Sequence, residues 1–335
     1  MLEENLNSSP IIEIDDLHVH FNATNEIEIS GVRGQKLIRA VDGVNLNVQR
    51  GEILSLVGES GSGKTTLGRT IVRLLKPTSG RIMVDGKRID QLHGRGLREL
   101  WRTAQMIFQD PYSTFNPMNL ALDSLTLPLQ KFKLANSLDE AKAKIDAALS
   151  QVGLSYSDLD GKHPNQLSGG QRQRLAIARA VIVGPEVIIA DEPVSMLDVS
   201  LRAGILDLIR ELNSNLGVTV VFISHDLAVA EYISNRIAVM YKGRIAELAP
   251  SNELISSPHH PYTELLIKSV PRIREAGWSS VTESSMRNVD WNTFRGCSFF
   301  PRCRYATDDC AVIAPSLKEE TRAHYAACYN PLGKS

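Results

Sequence analysis

The stretch Gly58-Glu-Ser-Gly-Ser-Gly-Lys64-Thr65 decides the fold of this 335-residue chain. It matches the pattern G-x-x-x-x-G-K-[ST], preceded by an apolar run at 53–57 and followed by helical spacing over 65–75. Such a turn lets backbone N–H groups point at phosphate oxygens, and the helix dipole favours their charge. Lys64 is expected to reach the β- and γ-phosphates, and the Thr65 hydroxyl is expected to bind Mg²⁺. We predict a nucleotide phosphate site at Gly58, Ser60, Gly61, Gly63, Lys64, Thr65 and Thr66.

A second signal is the apolar run 187–190 that ends in two acids, Asp191 and Glu192. A buried strand has no structural need for adjacent carboxylates at its tip. Asp191 suits a Mg²⁺ site and Glu192 suits polarising an attacking water. A helix-capping acid is the alternative, and it explains one of the two residues better than the pair.

The rest of the chain predicts an α/β fold with a mostly parallel sheet covered on both faces, because strand and helix patterns alternate over 175–241. Residues 11–19 and 44–48 are predicted as antiparallel strands. Residues 125–159 have helical spacing, and residues 80–85 and 105–109 are further candidate strands. Ligands of such sheets lie beyond the carboxyl ends of strands, where both motifs fall.

Composition argues against several classes of protein. Lys and Arg number 37 against 38 Asp and Glu, so the net charge of −1 gives no reason to expect nucleic acid as a partner. The first ten residues lack the pattern of a secretory signal, and no apolar run approaches a membrane span. We therefore expect any link to a membrane to pass through a partner protein.

A third motif carries a family resemblance. The run 167–179, Leu-Ser-Gly-Gly-Gln followed by Arg-Gln-Arg-Leu-Ala-Ile-Ala-Arg, resembles the signature of the ABC ATPases. The resemblance implies that Ser168, Gly169, Gly170 and Gln171 contact ATP held by the phosphate loop of an opposite subunit. A serine cap with a glycine turn explains the helix start alone. The family also implies a P-loop NTPase (RecA-like) core, an antiparallel β subdomain and a helical signature subdomain at about 110–175.

Three more matches to the family, at Gln109, Asp198 and His225, appear in the family's order, and Phe21 is a separate match. Gln109 is similar to the glutamine that ligands Mg²⁺ and senses the transmembrane partner, and Asp198 lies in a segment similar to the loop that crosses the dimer interface. His225 resembles the histidine that contacts the γ-phosphate and aligns Glu192, although a lone histidine after a strand is more often structural. Phe21 resembles the aromatic that stacks on adenine, with core packing as the alternative.

The finer resemblance is to ATPases of dipeptide/oligopeptide importers, and within these to the second (F-type) of two ATPases. The stretches 58–61, 66–69, 108–117, 190–195 and 260–263 carry it. It implies an ATPase domain at 11–257 and an extension at 258–335. Within the extension, residues 275–296 are polar with few aliphatic side chains, which predicts a linker. The resemblance also implies a second ATPase subunit, two transmembrane permeases and an extracytoplasmic solute-binding protein as partners, at the cytoplasmic face of the cell membrane.

Other functions stay open. Relatives import oligosaccharides or nickel as well as peptides, and a soluble ABC ATPase acting on nucleic acid or ribosomes is a further alternative. The short interval from Gln109 to Ser168 excludes a long coiled-coil insertion. A catalytically silent subunit requires a broken motif, and every motif is intact.

All four cysteines, Cys297, Cys303, Cys310 and Cys328, lie in the last forty or so residues. Four thiolates can complete the coordination of a cubane cluster or a tetrahedral zinc, and the absence of C-x₂-C argues against a zinc ribbon. The region resembles the part of the family in which some members hold a [4Fe–4S] cluster. Reduced structural thiols or disulfides are the alternatives.

Overall fold

The computed structural model describes residues 9–23, 36–269, 287–291 and 293–333. The strands are β1 (Ile12–Ala23), β2 (Lys36–Val48), β3 (Ile53–Val57), β4 (Ser79–Val84), β5 (Lys87–Arg88), β6 (Ala104–Ile107), β7 (Val187–Asp191), β8 (Thr219–Ser224), β9 (Arg236–Tyr241), β10 (Arg244–Pro250), β11 (Lys318–Thr321) and β12 (His324–Ala326). The α-helices are α1 (Lys64–Ile71), α2 (Arg95–Thr103), α3 (Pro111–Thr114), α4 (Asp123–Phe132), α5 (Leu138–Gln151), α6 (Tyr156–Leu159), α7 (Gly169–Val181), α8 (Val199–Leu216), α9 (Leu227–Ile233), α10 (Ser251–Ser256), α11 (Pro261–Ser269) and α12 (Asp309–Val312).

The main sheet has the strand order β11-β12-β10-β9-β3-β8-β7-β6. The five strands from β9 to β6 run parallel, and every residue of β3, β7 and β8 is buried. Strands covered on both faces need continuous apolar runs, which explains why these three segments are so rich in Val and Ile. The phosphate loop, residues 58–65, follows β3, and the acidic pair ends β7, so both lie at the carboxyl edge of the sheet.

A second sheet, ordered β2-β1-β4-β5, is antiparallel. Its strands β1 and β2 are longer than predicted, since β1 reaches Ala23 and β2 begins at Lys36. Their register shifts between Ile14 and Leu17, between Leu17 and His18, and again between Val19 and His20. Such bulges break the strict alternation of apolar and polar residues, which hid the outer halves of both strands from the sequence pattern.

Helices α3–α6 and the first part of α7 form the helical region. Leu125, Leu129, Leu149 and Leu175 are fully or almost fully buried in its core. The predicted α/β class with an antiparallel sheet and a helical subdomain is therefore confirmed.

Helix α1 is shorter than predicted and ends at Ile71. Arg73 has a positive φ of 57°, a left-handed conformation that stops the helix. Its guanidinium donates to the Ile89 and Leu92 carbonyl oxygens, so the turn is fixed by its own side chain.

The C-terminal extension, residues 258–335, shares the main sheet with the preceding domain. β12 pairs antiparallel with β10 through Glu247 and Leu248. Strands on the two sides of the predicted 257/258 boundary thus belong to one sheet. Of the predicted linker 275–296, residues 275–286 and 292 lie outside the described residues.

Candidate functional site

The phosphate loop is shaped by glycines that no other residue could replace without movement. A Cβ on Gly58 would lie 2.2 Å from the Met240 carbonyl oxygen, and one on Gly63 would lie 2.2 Å from that of Ala40. Lys64, the first residue of α1, donates from Nζ to the carbonyl oxygens of Gly58 at 2.8 Å and Glu59 at 2.9 Å. The ammonium group is therefore held in the mouth of the loop.

Thr65 joins this loop to the acidic pair. Its hydroxyl donates to Asp191 Oδ1 at 2.9 Å. The other carboxylate oxygen, Asp191 Oδ2, is buried and makes no hydrogen bond to any described residue. A buried, unsatisfied carboxylate oxygen beside a threonine hydroxyl is a donor set that suits Mg²⁺, which prefers oxygen ligands and keeps several waters.

Glu192 is the centre of a polar group at the end of β7. Gln109 Nε2 donates to Glu192 Oε2 at 3.0 Å, and His225 Nδ1 lies 3.2 Å from Glu192 Oε1. Glu192 has a φ of 45°, an uncommon conformation for a non-glycine residue that is often found at functional sites. β6 ends at Ile107, so Gln109 lies two residues beyond the strand end where the sequence placed it.

Burial changes the charge balance of the site. It lowers the pKa of Lys64, while Glu192, Asp191 and Glu59 act against this effect. Burial raises the pKa of Asp191, opposed by the Thr65 hydrogen bond and by Arg69. Both charged forms are disfavoured by the site as it stands, and each would be stabilised by a ligand of opposite charge.

One cavity extends from the phosphate loop to the antiparallel sheet. Its lining contains nine of the predicted residues: Phe21, Ser60, Gly61, Gly63, Lys64, Thr65, Thr66, Gln109 and Glu192. Phe21 has 40% of its surface exposed, which argues against the core-packing alternative for it. Gly58, Asp191, Asp198, His225 and the run 168–171 are described by the structure but do not line the cavity.

The signature run begins helix α7. Ser168 accepts at Oγ from the Gln171 backbone N–H at 3.2 Å, and Gln171 Oε1 accepts from the Ser168 N–H at 3.1 Å. This capping box satisfies two backbone donors, as the serine-cap alternative expects. Ser168 and Gly169 nevertheless do not line the cavity beside the phosphate loop of their own chain. The capping reading and a role toward another subunit are compatible.

The extension contributes residues to the same cavity that the sequence motifs did not mark. Trp291, Phe294, Arg295, Gly296 and Ser298 all line it. Lys242 Nζ, also in the lining, lies 3.2 Å from the Trp291 ring centroid. A Trp and a Phe separated by two residues in a polar stretch were the available signal, and no pattern linked them to the loop 230 residues earlier in the chain.

The extension also contacts the phosphate loop directly, at Glu59. The Tyr262 hydroxyl accepts from the Glu59 backbone N–H at 2.9 Å, and Tyr262 is fully buried. Arg302 Nη1 lies 2.9 Å from both carboxylate oxygens of Glu59. Cys303 directly follows Arg302 in the sequence. The Arg302–Glu59 ion pair therefore connects the cysteine region to the phosphate loop.

The four cysteines are free thiols that converge on one small, enclosed cavity. Cys303 and Cys310 are buried and the other two are half-buried. Burial raises the pKa of Cys297 to about 11 and that of Cys328 to about 12. All four thiols line the same cavity, and no disulfide joins any two of them in the described residues.

Family profiles match two parts of the chain. The ABC transporter profile covers residues 41–195. The profile described as the oligopeptide/dipeptide transporter C-terminal region covers residues 246–310. The first range contains the phosphate loop, Gln109, the signature and the acidic pair, and the second contains Tyr262, Arg302 and three of the cysteines.

Relatives match almost the whole chain. The oligopeptide transport ATP-binding protein AppF of Bacillus subtilis is 40% identical over 96% of this chain and 98% of its own length. A probable peptide ABC transporter ATP-binding protein of Sinorhizobium fredii is 44% identical over 88% of this chain and 83% of its own.

A solved dimer of the ATP-binding cassette MJ0796 bound to ADP and phosphate has a TM-score of 0.62 at 32% identity, covering 72% of this chain and 98% of that one. Within the described residues, none of the helices has the length and apolarity required to cross a bilayer. By these matches and by its intact motifs, the chain belongs to the ABC transporter ATP-binding proteins, in the branch that carries the oligopeptide/dipeptide C-terminal region.

Proposed function

We propose that this ATPase powers an ABC importer for dipeptides or oligopeptides. The observation that carries the proposal is the union of an intact hydrolytic site with the oligopeptide/dipeptide C-terminal region in one chain. Relatives named for peptide transport along nearly their whole length support the substrate class. The same ATPase role in an importer for oligosaccharides or nickel is the second candidate.

In this proposal Lys64 and the loop N–H groups bind the phosphates of ATP. Thr65, Asp191 and Gln109 hold Mg²⁺, which supplies neutralisation of phosphate charge when it is bound. Glu192 orients and polarises the attacking water, and His225 positions the Glu192 carboxylate. Phe21 contributes an aromatic face for adenine. Hydrolysis then depends mainly on positioning and on charge stabilisation by these side chains.

The proposal further assigns Ser168, Gly169, Gly170 and Gln171, with Asp198, to the nucleotide of a neighbouring subunit. Their position outside the chain's own cavity supports this assignment. The neighbour is proposed to be a second, paralogous ATPase, so the pair is a heterodimer. Closure of the pair over two nucleotides and reopening after hydrolysis would drive two permease subunits fed by an extracytoplasmic solute-binding protein. The chain is placed peripherally on the cytoplasmic face of the membrane.

The domain assignment follows the same logic. We assign residues 11–257 to the ATPase domain and 258–335 to the extension. The C-terminal family match covers residues 246–310, which differ from the proposed bounds at both ends. The match therefore supports the presence of the extension and leaves its limits to the proposal.

The cysteine cavity is proposed to hold a [4Fe–4S] cluster ligated by Cys297, Cys303, Cys310 and Cys328. Four unpaired thiols facing one enclosed cavity fit the thiolate ligand set of such a cluster. Burial favours the uncharged thiol over the thiolate at these cysteines. Bound metal would reverse this preference, because it stabilises thiolates. The cluster would fix the fold of the extension, with no role in hydrolysis.

The importer proposal is tested by co-purifying the chain with its candidate permeases and second ATPase and reconstituting the complex in liposomes. Phosphate release should rise when binding protein loaded with peptide is added outside, and labelled peptide should accumulate. Stimulation by an oligosaccharide or by nickel with none by peptide would favour the second candidate. Free, permease-independent ATPase activity with no complex formed would contradict both.

The cluster proposal has its own test. Protein purified without oxygen should contain about four irons per chain and absorb broadly in the visible range. Cys303→Ser should lose both, whereas Asp308→Asn, an exposed change in the same segment, should keep both. A colourless, iron-free protein with four titratable thiols would contradict the proposal.

A further inference from the structure

A cluster of two histidines and an aspartate lies on the antiparallel sheet, away from the residues proposed for hydrolysis. His18 and His20 are two residues apart on β1, and Asp42 lies opposite His18 on β2. Leu17 and Val19, between and beside them, are buried in the apolar core. The two imidazoles therefore project from the other face of the strand, where 23% and 19% of their side-chain surfaces are exposed.

The three side chains are spaced like the ligands of a tetrahedral ion. His18 Nδ1 lies 3.2 Å and His20 Nε2 lies 3.5 Å from the same oxygen, Asp42 Oδ1. One ligand atom from each residue lies within 4.8 Å of the others. Zinc bonds of about 2.0–2.1 Å at tetrahedral angles separate neighbouring ligand atoms by roughly 3.3 Å. The two distances to Asp42 Oδ1, 3.2 Å and 3.5 Å, lie on either side of that value.

Hydrogen bonding alone leaves the cluster unsatisfied. His20 Nε2 is buried and makes no hydrogen bond to any described residue. His18 faces a carboxylate with each nitrogen, since Nε2 lies 3.1 Å from Asp16 Oδ1. A neutral imidazole has a single N–H, so one of its two contacts would oppose two lone pairs. A cation bound by both Nδ1 and Asp42 Oδ1 would satisfy this contact.

The groups around the cluster hold the three ligands in place. Arg244 donates from Nη2 to Asp42 Oδ2 at 2.7 Å, which leaves Oδ1 turned toward the histidines. Asp16 would accept from the Nε2–H of a metal-bound His18, the carboxylate–histidine arrangement common around protein zinc. The bulges beside His18 and His20 direct the two side chains to one point.

We propose that His18, His20 and Asp42 bind a divalent transition ion, with Zn²⁺ the best match, and leave one coordination position to solvent. Imidazole and carboxylate ligands in tetrahedral arrangement select zinc over the hard ions Mg²⁺ and Ca²⁺. The site joins β1 to β2 and borders the nucleotide cavity, which Asp42 and Arg244 also line. It is independent of the cysteines and of the proposed importer function.

The test uses the full chain without an affinity tag and with Co²⁺ as the probe, read as the difference in absorption before and after Co²⁺ is added, which removes the absorption of any iron–sulfur cluster. Histidine and carboxylate ligands give weak visible bands, whereas thiolates add intense near-ultraviolet charge transfer, so a Co²⁺ at the cysteines is distinguished. One equivalent of Co²⁺ without thiolate bands is expected, and Zn²⁺ should displace it. His20→Gln and His18→Gln should each abolish it, while His93→Gln, an exposed histidine elsewhere, should not.

Asp16→Asn provides a further measurement, because loss of a partner behind a metal-bound histidine weakens binding by about 10- to 100-fold. A thermal melt of each variant in the absence of metal confirms that it is folded. Equal Co²⁺ binding by His20→Gln and the unchanged chain would overturn the proposal. So would the absence of any Co²⁺ absorption free of thiolate bands.

Discussion

The phosphate loop and the C-terminal extension meet at Glu59, but they are built in different ways. The loop is one contiguous stretch that binds through its backbone. Its shape is set by glycines at which a Cβ would collide with a neighbouring carbonyl oxygen. The extension reaches the loop through isolated side chains, Tyr262 and Arg302, that are forty residues apart. The comparison teaches that the first region should control chemistry, and the second should control affinity and stability.

The largest effect is expected at Glu192, on the loop side. Glu192→Gln keeps the hydrogen-bonding shape but loses the base, so turnover should fall by about 10²–10⁴-fold while ATP binding persists. Phosphate release at saturating ATP measures it, and Glu211→Gln, an exposed change on α8, is the control. Turnover near that of the unchanged chain would remove the role given to Glu192.

A pH effect is expected from His260, on the extension side. Burial lowers the pKa of His260 to about 4 from an ordinary value of 6.5, and its Nδ1 accepts from the Tyr262 N–H. The unfolded chain therefore binds more protons between these values, and stability falls as pH drops through this window. The loss should be on the order of 2–3 kcal/mol.

Denaturant unfolding at pH 7 and pH 4.5 measures the effect of His260. His260→Asn should flatten this part of the pH dependence, and the exposed His93→Asn should leave it unchanged. The same slope in His260→Asn as in the unchanged chain would contradict the assignment.

A smaller change is expected from Tyr262→Phe. The substitution removes the acceptor of the Glu59 N–H and leaves the ring packed against Tyr241 and Phe299. The free energy of unfolding should drop by about 0.5–1.5 kcal/mol. Urea unfolding compares it with Tyr325→Phe, a half-buried tyrosine that does not contact the loop. Equal stability of the two variants would mean that the contact contributes nothing.

The smallest effect is expected from Arg302→Gln, because 42% of the Glu59 side chain is exposed and solvent weakens the ion pair. Loss of this support for the loop should weaken ATP binding by about twofold to fivefold without changing turnover at saturation. Arg304→Gln, which breaks a pair with Glu264 away from the loop, is the matched control. A change in maximal turnover would contradict the view that the extension controls affinity and stability while the loop controls chemistry.

The sequence predicted the features that are encoded in contiguous runs. The phosphate loop, the β7 acids and the α7 start each occupy fewer than a dozen adjacent residues, so local patterns were enough to identify their positions. Trp291 and Arg302 escaped prediction because their contacts depend on how a distant segment folds back, which no local pattern records. The bulged ends of β1 and β2 escaped for the related reason that their alternation is broken.

The central claim is that Lys64 and its loop hold the phosphates of ATP. Titration of the purified chain with ATP and Mg²⁺ tests it most directly, with Lys64→Ala compared against Lys76→Ala, an exposed lysine nearby. We expect magnesium-dependent binding of ATP that weakens at least about tenfold in Lys64→Ala only, because this variant loses charge-assisted contacts to phosphate. Equal ATP affinity in the two variants would contradict it.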